Sequence, residues 1–481
     1  CMLKKIFGHS ILYTIANHLP LVANIIILPI ITPYLTKIDY GIYGLTYAYL
    51  GGLSAFSLLG IHVLLQNSYF KINRDYKELW SKYLGMLLIW RVFYSIIVLI
   101  LFYFLFYDKV GVNIKLFLGL IIVPILFFDL SKTMGTRYCQ YEEKHQYVYI
   151  SSLIASLFAI TTSFICIYYF RLGYLGFLIA AAFSGFIQFI FYFFLVHVKL
   201  KILPNFNLDV RFIKDTLKTS LPVIPHNFFG YLLTSSDRLV LDLNKVSLDR
   251  IGGYNLAYNF SNYFESFNNS MNSVLSPMYF KCFALEDQNK SKKFVSSLTI
   301  LWFIFLLISC LLLCIWCKEI FNFLYQNPDF DGIYVYVPFI LVGMMYRPFY
   351  VSCVDKNIFL EKTKNILLIS GGGGLINLIL NLIFVPFFGI EAVLYTTFFS
   401  YLYMGFSGFY IKSLKKNIDF QYSPIIFIII IILTLFFGVL VRDADLFFKV
   451  SLTLIILLFI ILLFKFKISK FIEEINKENL L

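Results

Sequence analysis

Apolar residues occur in long runs that short polar segments separate. A membrane-spanning helix needs about 20 mostly apolar residues, and windows of that length give fourteen candidate spans in this 481-residue chain. The pattern predicts an all-α polytopic membrane protein with about 14 transmembrane helices. The predicted spans, numbered 1 to 14, are residues 10–32, 42–64, 83–107, 114–133, 148–170, 175–197, 219–241, 252–276, 294–316, 332–354, 364–387, 390–411, 422–441 and 446–464.

The composition excludes a soluble globular protein. Hydrophobic residues make up 60% of the chain and charged residues 14%, whereas soluble domains contain about 45–50% and about 25%. A soluble protein could not cover so much apolar surface. Most of these side chains must therefore face lipid or the protein interior.

The positive charges predict an orientation in the membrane. With the N-terminus inside, 28 of the 40 Lys and Arg lie in cytoplasmic segments, nine lie in outer loops and three lie within spans. Because Lys and Arg collect on the cytoplasmic side, we expect both termini in the cytoplasm. The net charge of +13 then faces anionic membrane lipids, and we expect no nucleic-acid partner.

Four short matches recur in the same order and indicate a duplicated fold. The clearest pairs Gly41–Tyr47 (GIYGLTY) with Gly252–Tyr258 (GGYNLAY), and another pairs Gly173 with Gly389. We expect two parallel bundles that enclose a cavity and rock about it in alternating access. The predicted parts are an N-terminal six-helix bundle (1–200), a cytoplasmic amphipathic linker (201–219), a C-terminal six-helix bundle (220–412), and an additional two-helix segment with a cytoplasmic tail (413–481).

The protein is expected to work inside the membrane as a transporter, because no outer loop is long enough to form a domain. The sequence contains no Gly-x-x-x-x-Gly-Lys-Ser/Thr loop for a nucleotide, so a proton or sodium gradient is the expected energy source, without other cofactors.

Cys310, Cys314 and Cys317 share one helical face, but no His or carboxylate accompanies them within the span. We expect buried thiols there and no metal site.

Several motifs resemble those of one transporter family. They are Tyr34–Tyr43 (YLTKIDYGIY), Ser220–Pro225 (SLPVIP), Ser236–Leu241 (SDRLVL) and Ile251–Tyr254 (IGGY). Together they resemble polysaccharide flippases of the multidrug/oligosaccharidyl-lipid/polysaccharide exporter superfamily, and above all the O-antigen flippase type.

The resemblance implies a function and a location. Such flippases move undecaprenyl-diphosphate-linked oligosaccharide repeat units, the precursors of O-antigen or capsule, from the inner to the outer leaflet of the bacterial cytoplasmic membrane. It also implies a transporter without catalytic residues, with membrane lipids and other surface-polysaccharide assembly proteins as partners.

Charged side chains inside predicted spans are costly and are therefore functional candidates. We expect Arg91, Arg238 and Arg347 to line a cationic cavity and bind substrate, because the guanidinium fork matches phosphate oxygens. The candidate ion-coupling carboxylates are Asp129, Asp237 and Glu265. The alternative is that each arginine pairs with a carboxylate to fix helix packing, or extends to the interface.

Other interpretations remain open at this stage. Arg347 precedes Pro348 and could mark a break in span 10, and the run Gly371–Gly374 predicts close helix packing or bending. A cation-coupled multidrug exporter of the same superfamily is the alternative function, although it would favour an acidic cavity. A membrane polysaccharide polymerase or acyltransferase is a remote alternative, since the sequence lacks a long basic outer loop and a His-Asp pair.

Overall fold

The computed structural model describes residues 24–72, 76–415 and 422–463, and every regular element within these ranges is helical. The first part of predicted span 1 and the predicted cytoplasmic tail lie outside the described residues. We number the helices α1 to α20 in chain order. Short 3₁₀ and π turns join or extend several of them.

The first nine helices cover predicted spans 1 to 6 and the predicted linker. They are α1 Asn24–Tyr34, α2 Lys37–Ser57, α3 His62–Ile72, α4 Tyr76–Val110, α5 Ile114–Val123, α6 Asp129–Tyr141, α7 His145–Phe164, α8 Tyr174–Phe193 and α9 Val210–Ser220. The π turns Pro124–Phe128, Ile165–Tyr169 and Phe194–Lys199 follow α5, α7 and α8.

The remaining helices cover predicted spans 7 to 14. They are α10 Val223–Leu243, α11 Leu248–Phe283, α12 Gln288–Leu324, α13 Val337–Gly343, α14 Arg347–Phe359, α15 Thr363–Ile366, α16 Gly372–Phe388, α17 Ile390–Tyr410, α18 Lys412–Lys415, α19 Pro424–Val441 and α20 Leu446–Leu463. The predicted all-α fold is thus confirmed, and a helix lies at each predicted span from 2 to 14.

The number of membrane crossings stays a prediction. Within the described ranges, seven helical segments are long and apolar enough to cross a membrane, and a bent pair adds an eighth. One of them, Tyr76–Tyr141, covers predicted spans 3 and 4 in a single continuous segment. The count of fourteen therefore rests on the sequence pattern and the alternation of charge.

A bend interrupts predicted span 2 near its end. It lies between α2 and α3, which meet at an angle of 44°. Leu59 and Gly60 between them have positive φ angles of 49° and 72°, and a Cβ at Gly60 would lie 2.1 Å from the Ser220 carbonyl oxygen. Only glycine accommodates both the turn and this close approach.

The contacts divide the chain into two units. Unit 1 comprises Cys1–Phe228 and Leu324–Asp329, and unit 2 comprises Phe229–Phe323 and Phe330–Leu481. The predicted four-part division, with its boundaries at residues 200, 219 and 412, stays a prediction.

Unit 1 has a core of buried apolar side chains around Trp80, Met134 and Tyr192. The amphipathic helix α9 packs onto it through Phe212, whose ring stacks on Tyr83 with a centroid distance of 5.6 Å. The charged residues of α9 are exposed; they are Arg211, Lys214, Asp215 and Lys218.

Unit 2 is centred on aromatic side chains. Phe349 of α14 contacts Phe303, Phe406 and Phe427, with ring centroids 4.8 to 5.2 Å apart. The glycine run of unit 2, Gly371–Gly374, packs closely against α10. A Cβ at Gly374 would lie only 2.6 Å from the Phe229 carbonyl oxygen. This contact agrees with the close packing predicted for Gly371–Gly374.

A carboxylate joins two helix starts in unit 1. Asp39 Oδ2 accepts a hydrogen bond from the Thr36 backbone N–H (2.8 Å), and Thr36 Oγ1 accepts one from the Asp39 N–H (3.2 Å), which forms a capping box. Asp39 Oδ1 also accepts a hydrogen bond from the Tyr174 N–H at the start of α8 (2.8 Å). Gly173 precedes Tyr174 with φ 55°, and Gly389 precedes α17 with φ 60°, so these two glycines of the predicted repeat share one backbone conformation.

We expect Asp39→Ala to destabilise the protein, because it removes acceptors from two helix starts. Each lost cap costs about 1 kcal/mol, so the total is roughly 2 kcal/mol. Thermal unfolding in detergent, followed with a thiol-reactive fluorogenic dye, measures the effect, since the described cysteines are buried. Asp215→Ala, which removes an exposed carboxylate on α9, is the control. Equal unfolding midpoints for the two variants would contradict the role of Asp39.

Candidate functional site

The six charged residues predicted from the sequence form three ion pairs. Arg91 pairs with Asp129 in unit 1, while Arg238 pairs with Asp237 and Arg347 with Glu265 in unit 2. Each predicted substrate-binding arginine is thus joined to a predicted ion-coupling carboxylate. The pairing that was the alternative to substrate binding is present at all three sites, which differ in their exposure.

The Arg91 pair joins α4 to the start of α6. Arg91 Nη1 donates to Asp129 Oδ2 (3.2 Å) and to the Ile125 carbonyl oxygen (2.9 Å), which lies in the π turn between α5 and α6. The arginine is 2% exposed, whereas 43% of the Asp129 side chain is exposed. The guanidinium is therefore covered, and its carboxylate lies at the surface of the unit.

The Arg238 pair is enclosed between α10 and α11, and both side chains are buried. Arg238 Nη1 lies 3.3 Å from Asp237 Oδ1, but neighbouring residues do not face each other on a helix, and α11 supplies further partners. Arg238 Nε donates to Asn255 Oδ1 (3.0 Å), and the Tyr254 hydroxyl donates to Asp237 Oδ2. Both charged side chains therefore have hydrogen-bond partners on α11, and these contacts link the two helices.

The Arg347 pair is the more open of the two pairs in unit 2. Arg347 Nη2 donates to Glu265 Oε1 and Asn269 Oδ1, and Nη1 donates to the Tyr346 hydroxyl (3.2 Å). The side chains of Arg347 and Glu265 are 16% and 24% exposed. Arg347 Nε and Glu265 Oε2 have no hydrogen-bond partner among the residues that the structure describes.

A 3₁₀ turn precedes Arg347. The 3₁₀ turn Met344–Tyr346 separates α13 from α14, and Arg347 is the first residue of α14. Pro348 follows in the first helical turn, where its missing N–H leaves no hydrogen bond unmade. Residues Pro328–Phe359 nevertheless form one continuous helical segment, so the structure shows a change from 3₁₀ to α-helix at Arg347 and not the break considered from the sequence.

Stacked and hydrogen-bonded tyrosines connect the two arginines of unit 2. The Arg238 guanidinium carbon lies 4.4 Å from the centroid of the Tyr258 ring, and the Tyr258 hydroxyl lies 3.4 Å from that of Tyr401. Tyr401 stacks on Tyr346 at 4.8 Å with an interplanar angle of 8°, and Arg347 lies 5.9 Å from the Tyr346 centroid. We call Tyr258, Tyr401 and Tyr346 the tyrosine ladder.

The sequence pointed to Tyr258 as a residue that could stack on a sugar ring, but not to Tyr346, Tyr401 or the contacts that join the three tyrosines. Tyr346 could have been noticed because it directly precedes Arg347. Tyr401 carried no signal, since it lies 54 residues further along the chain in a span rich in aromatic residues.

A row of buried amides and hydroxyls lies between α16 and α17 and was also missed. Asn381 Nδ2 donates to Asn377 Oδ1 (3.0 Å), and Asn377 Nδ2 donates to Thr397 Oγ1 (3.2 Å). Ser236 of α10 donates to Asn377 Oδ1 (3.4 Å), and Thr396 donates to Asn381 Oδ1. The signal was present as two asparagines four residues apart in an otherwise apolar span. This polar seam, the name we give to these five residues, links three helices of unit 2.

The three cysteines expected on one helical face lie together in α12. Cys310, Cys314 and Cys317 are all buried in α12. No group of three or more His, Cys, Asp or Glu side chains in the described ranges has the geometry to hold a metal ion.

The chain matches a protein family and several solved structures. Residues 2–283 match the family described as polysaccharide biosynthesis protein. A search of curated proteins gives no significant match.

The fold is similar to those of three transporters. An inward-facing multidrug resistance MATE family transporter of the MOP superfamily is 15% identical with a TM-score of 0.62, covering 84% of this chain and 96% of that one. The lipid II flippase MurJ in an inward closed conformation is 14% identical with a TM-score of 0.62. The match covers 89% of this chain and 98% of MurJ. A MOP superfamily transporter from Pyrococcus furiosus, whose binding pocket is described as having reverse polarity, is 15% identical with a TM-score of 0.51, covering 84% and 95%.

These likenesses agree with the predicted fold. They show an all-helical fold similar to that of MOP superfamily transporters, the multidrug/oligosaccharidyl-lipid/polysaccharide exporters, and the long apolar helices indicate a multi-pass membrane protein. Because the family match covers more than half of the sequence, the chain belongs to the polysaccharide biosynthesis protein family.

Proposed function

We propose that this protein is a flippase that carries undecaprenyl-diphosphate-linked oligosaccharide repeat units, the precursors of O-antigen or capsule, from the inner to the outer leaflet by alternating access. Membership of a polysaccharide biosynthesis family together with a transporter fold supports this proposal. A lipid-linked sugar made on one side of a membrane and used on the other must cross it. Its diphosphate is the part that hydrocarbon excludes most strongly.

The observation that carries the proposal is the open Arg347 pair. A diphosphate can replace Glu265 on the guanidinium, because the exchange substitutes one anion for another and leaves the arginine paired. Arg347 Nε already has no partner within the described chain and can donate to a second phosphate oxygen. Two parallel donors on one arginine match the fork geometry that phosphate favours.

The other two arginines have different surroundings. Arg238 is enclosed by contacts from α10 and α11, and we propose that it holds this helix pair and the tyrosine ladder in place. The Arg91 side chain is buried, while the side chain of its partner Asp129 is exposed. A role for either in binding substrate stays a prediction, and Arg347 is our first candidate.

The same exchange provides a route to ion coupling. When the diphosphate takes Arg347, Glu265 loses its counter-charge in a medium of low dielectric. That loss favours binding of a proton or a sodium ion to the carboxylate. Reversal of the step on the outer side returns Glu265 to Arg347, expels the diphosphate and releases the ion. Glu265 is therefore our first candidate for the coupling residue, ahead of Asp129 and Asp237.

A multidrug exporter is the second candidate function, because the MATE family transporter and MurJ match the fold with equal TM-scores of 0.62. Fold alone does not separate the two activities. The family match favours the lipid-linked sugar, and so does an arginine in the more open pair of unit 2. Uptake of cationic dyes and of labelled lipid-linked oligosaccharide by the same proteoliposomes would distinguish them.

We expect Arg347→Ala to reduce transport of labelled undecaprenyl-diphosphate-linked oligosaccharide in proteoliposomes about 10- to 100-fold. Hydrogen bonds to charged groups contribute about 1.5–3 kcal/mol, and 1.4 kcal/mol corresponds to tenfold. Arg347→Lys keeps the charge but loses the fork, so an intermediate rate is expected. Arg211→Ala on α9, whose side chain is 92% exposed, is the matched control. Normal transport by the Arg347→Ala variant would refute the assignment.

We expect Glu265→Gln to strengthen binding of a short-chain prenyl diphosphate severalfold, because the ligand no longer competes with a carboxylate. Transport by this variant should lose its dependence on the ion gradient. Glu391→Gln serves as the control, since Glu391 forms an exposed pair with Arg250. If Glu265 only fixes helix packing, the variant will bind the diphosphate no better than the wild type and will unfold at a lower temperature.

A further inference from the structure

A groove on the surface of unit 1 lies between α7 and α8. It has a volume of about 570 Å³, within the range of about 300–1,000 Å³ that small-molecule sites occupy. Its walls include Ile154 of α7, Ile190 of α8, and Phe194 and Val198 of the π turn that follows α8. All four side chains are exposed, so in a membrane they face lipid. We call this cavity the α7–α8 groove.

One end of the groove carries a cation. Lys199, the last residue of the π turn, lines the groove together with Tyr147 of α7. Lys199 is exposed and has no ion-pair partner among the residues placed by the structure. It belongs to the segment from Lys199 to Lys218 that the distribution of positive charge predicts to face the cytoplasm.

The π turn that shapes this end is fixed by contacts on both sides. His197 Nε2 lies 3.0 Å from Ser131 Oγ, and His197 Nδ1 lies 2.8 Å from the Ile202 carbonyl oxygen. The Leu200 N–H donates to the Leu195 carbonyl oxygen (3.0 Å), which closes the π turn. These contacts fix the backbone that carries Phe194, Val198 and Lys199.

We propose that the α7–α8 groove binds an anionic phospholipid of the cytoplasmic leaflet. One acyl chain lies along Ile154, Ile190, Phe194 and Val198, and the phosphate contacts Lys199. A basic residue at the cytoplasmic end of a groove between membrane helices is the arrangement that recognises anionic headgroups. Phosphatidylglycerol has a net negative charge to pair with Lys199, whereas phosphatidylcholine is neutral overall. The site is separate from the three ion pairs and does not depend on the proposed transport activity.

A groove of equal volume in unit 2 provides an internal comparison. It also measures about 570 Å³, and it lies between α16 and α17, the counterparts of α7 and α8 in the predicted repeat. Its walls are apolar as well, with Leu380 and Phe384 among them, but its end lies at the start of α17, where the charged residue in its lining is Glu391, paired with Arg250. No lysine or arginine lines this groove to attract an anionic headgroup. Selectivity should therefore depend on Lys199 and not on groove volume.

The test is lipid retention by the full-length protein, measured by native mass spectrometry after delipidation and addition of an equal mixture of phosphatidylglycerol and phosphatidylcholine. The wild type should retain phosphatidylglycerol in preference to phosphatidylcholine. Lys199→Ala should reduce this preference about fivefold, because a lysine near an anionic surface contributes about 1 kcal/mol. Ile190→Trp should displace the lipid altogether by filling the groove.

Two matched variants complete the experiment. Lys218→Ala removes an exposed lysine from α9, and Leu380→Trp fills the groove of unit 2, so both should retain phosphatidylglycerol as the wild type does. Unfolding midpoints show whether each variant is folded. Equal retention of the two lipids by the wild type, or unchanged preference in the folded Lys199→Ala variant, would overturn the proposal. Displacement of phosphatidylglycerol by equimolar undecaprenyl phosphate would also overturn it, because the groove would then belong to a polyprenyl chain.

Discussion

Charge neutralisation in a medium of low dielectric is the constraint on which the rest of this structure depends. A guanidinium inside a bilayer must have an anion or several hydrogen-bond acceptors beside it, because hydration is lost there. Arg91, Arg238 and Arg347 each have a carboxylate partner. A protein that carries a diphosphate through the membrane must likewise provide a cation beside this anionic cargo wherever it pauses. A pair that can open and reform meets both needs.

Unit 2 combines a closed pair with an open one. Arg238 is surrounded by Asp237, Tyr254 and Asn255, so α10 and α11 are joined firmly. Arg347 lies where α13 ends and α14 begins, and its pair retains unpartnered polar atoms within the described residues. The tyrosine ladder connects the two sites through ring contacts and one hydroxyl contact. A change at Arg347 can therefore reach Arg238 through packed side chains.

The sequence predicted the positions of the helices well, because their apolar runs are long and well separated. It did not predict the bend between α2 and α3, where Gly60 lies against the carbonyl group of Ser220, a residue far away in the sequence. The sequence does not show which distant residues are neighbours in the fold, so contacts between them could not be predicted. The six charged residues were identified singly, but their pairing depends on which helices are neighbours. Glu265 and Arg347 are 82 residues apart, and their sequence separation gives no sign of their contact.

The proposed exchange of a diphosphate for Glu265 on Arg347 can be observed in an experimental structure of the protein with a bound prenyl diphosphate. Phosphate oxygens should lie within hydrogen-bond distance of the Arg347 guanidinium, and the Glu265 carboxylate should have moved away from it. An intact pair between Arg347 and Glu265, with the diphosphate bound elsewhere, would contradict it.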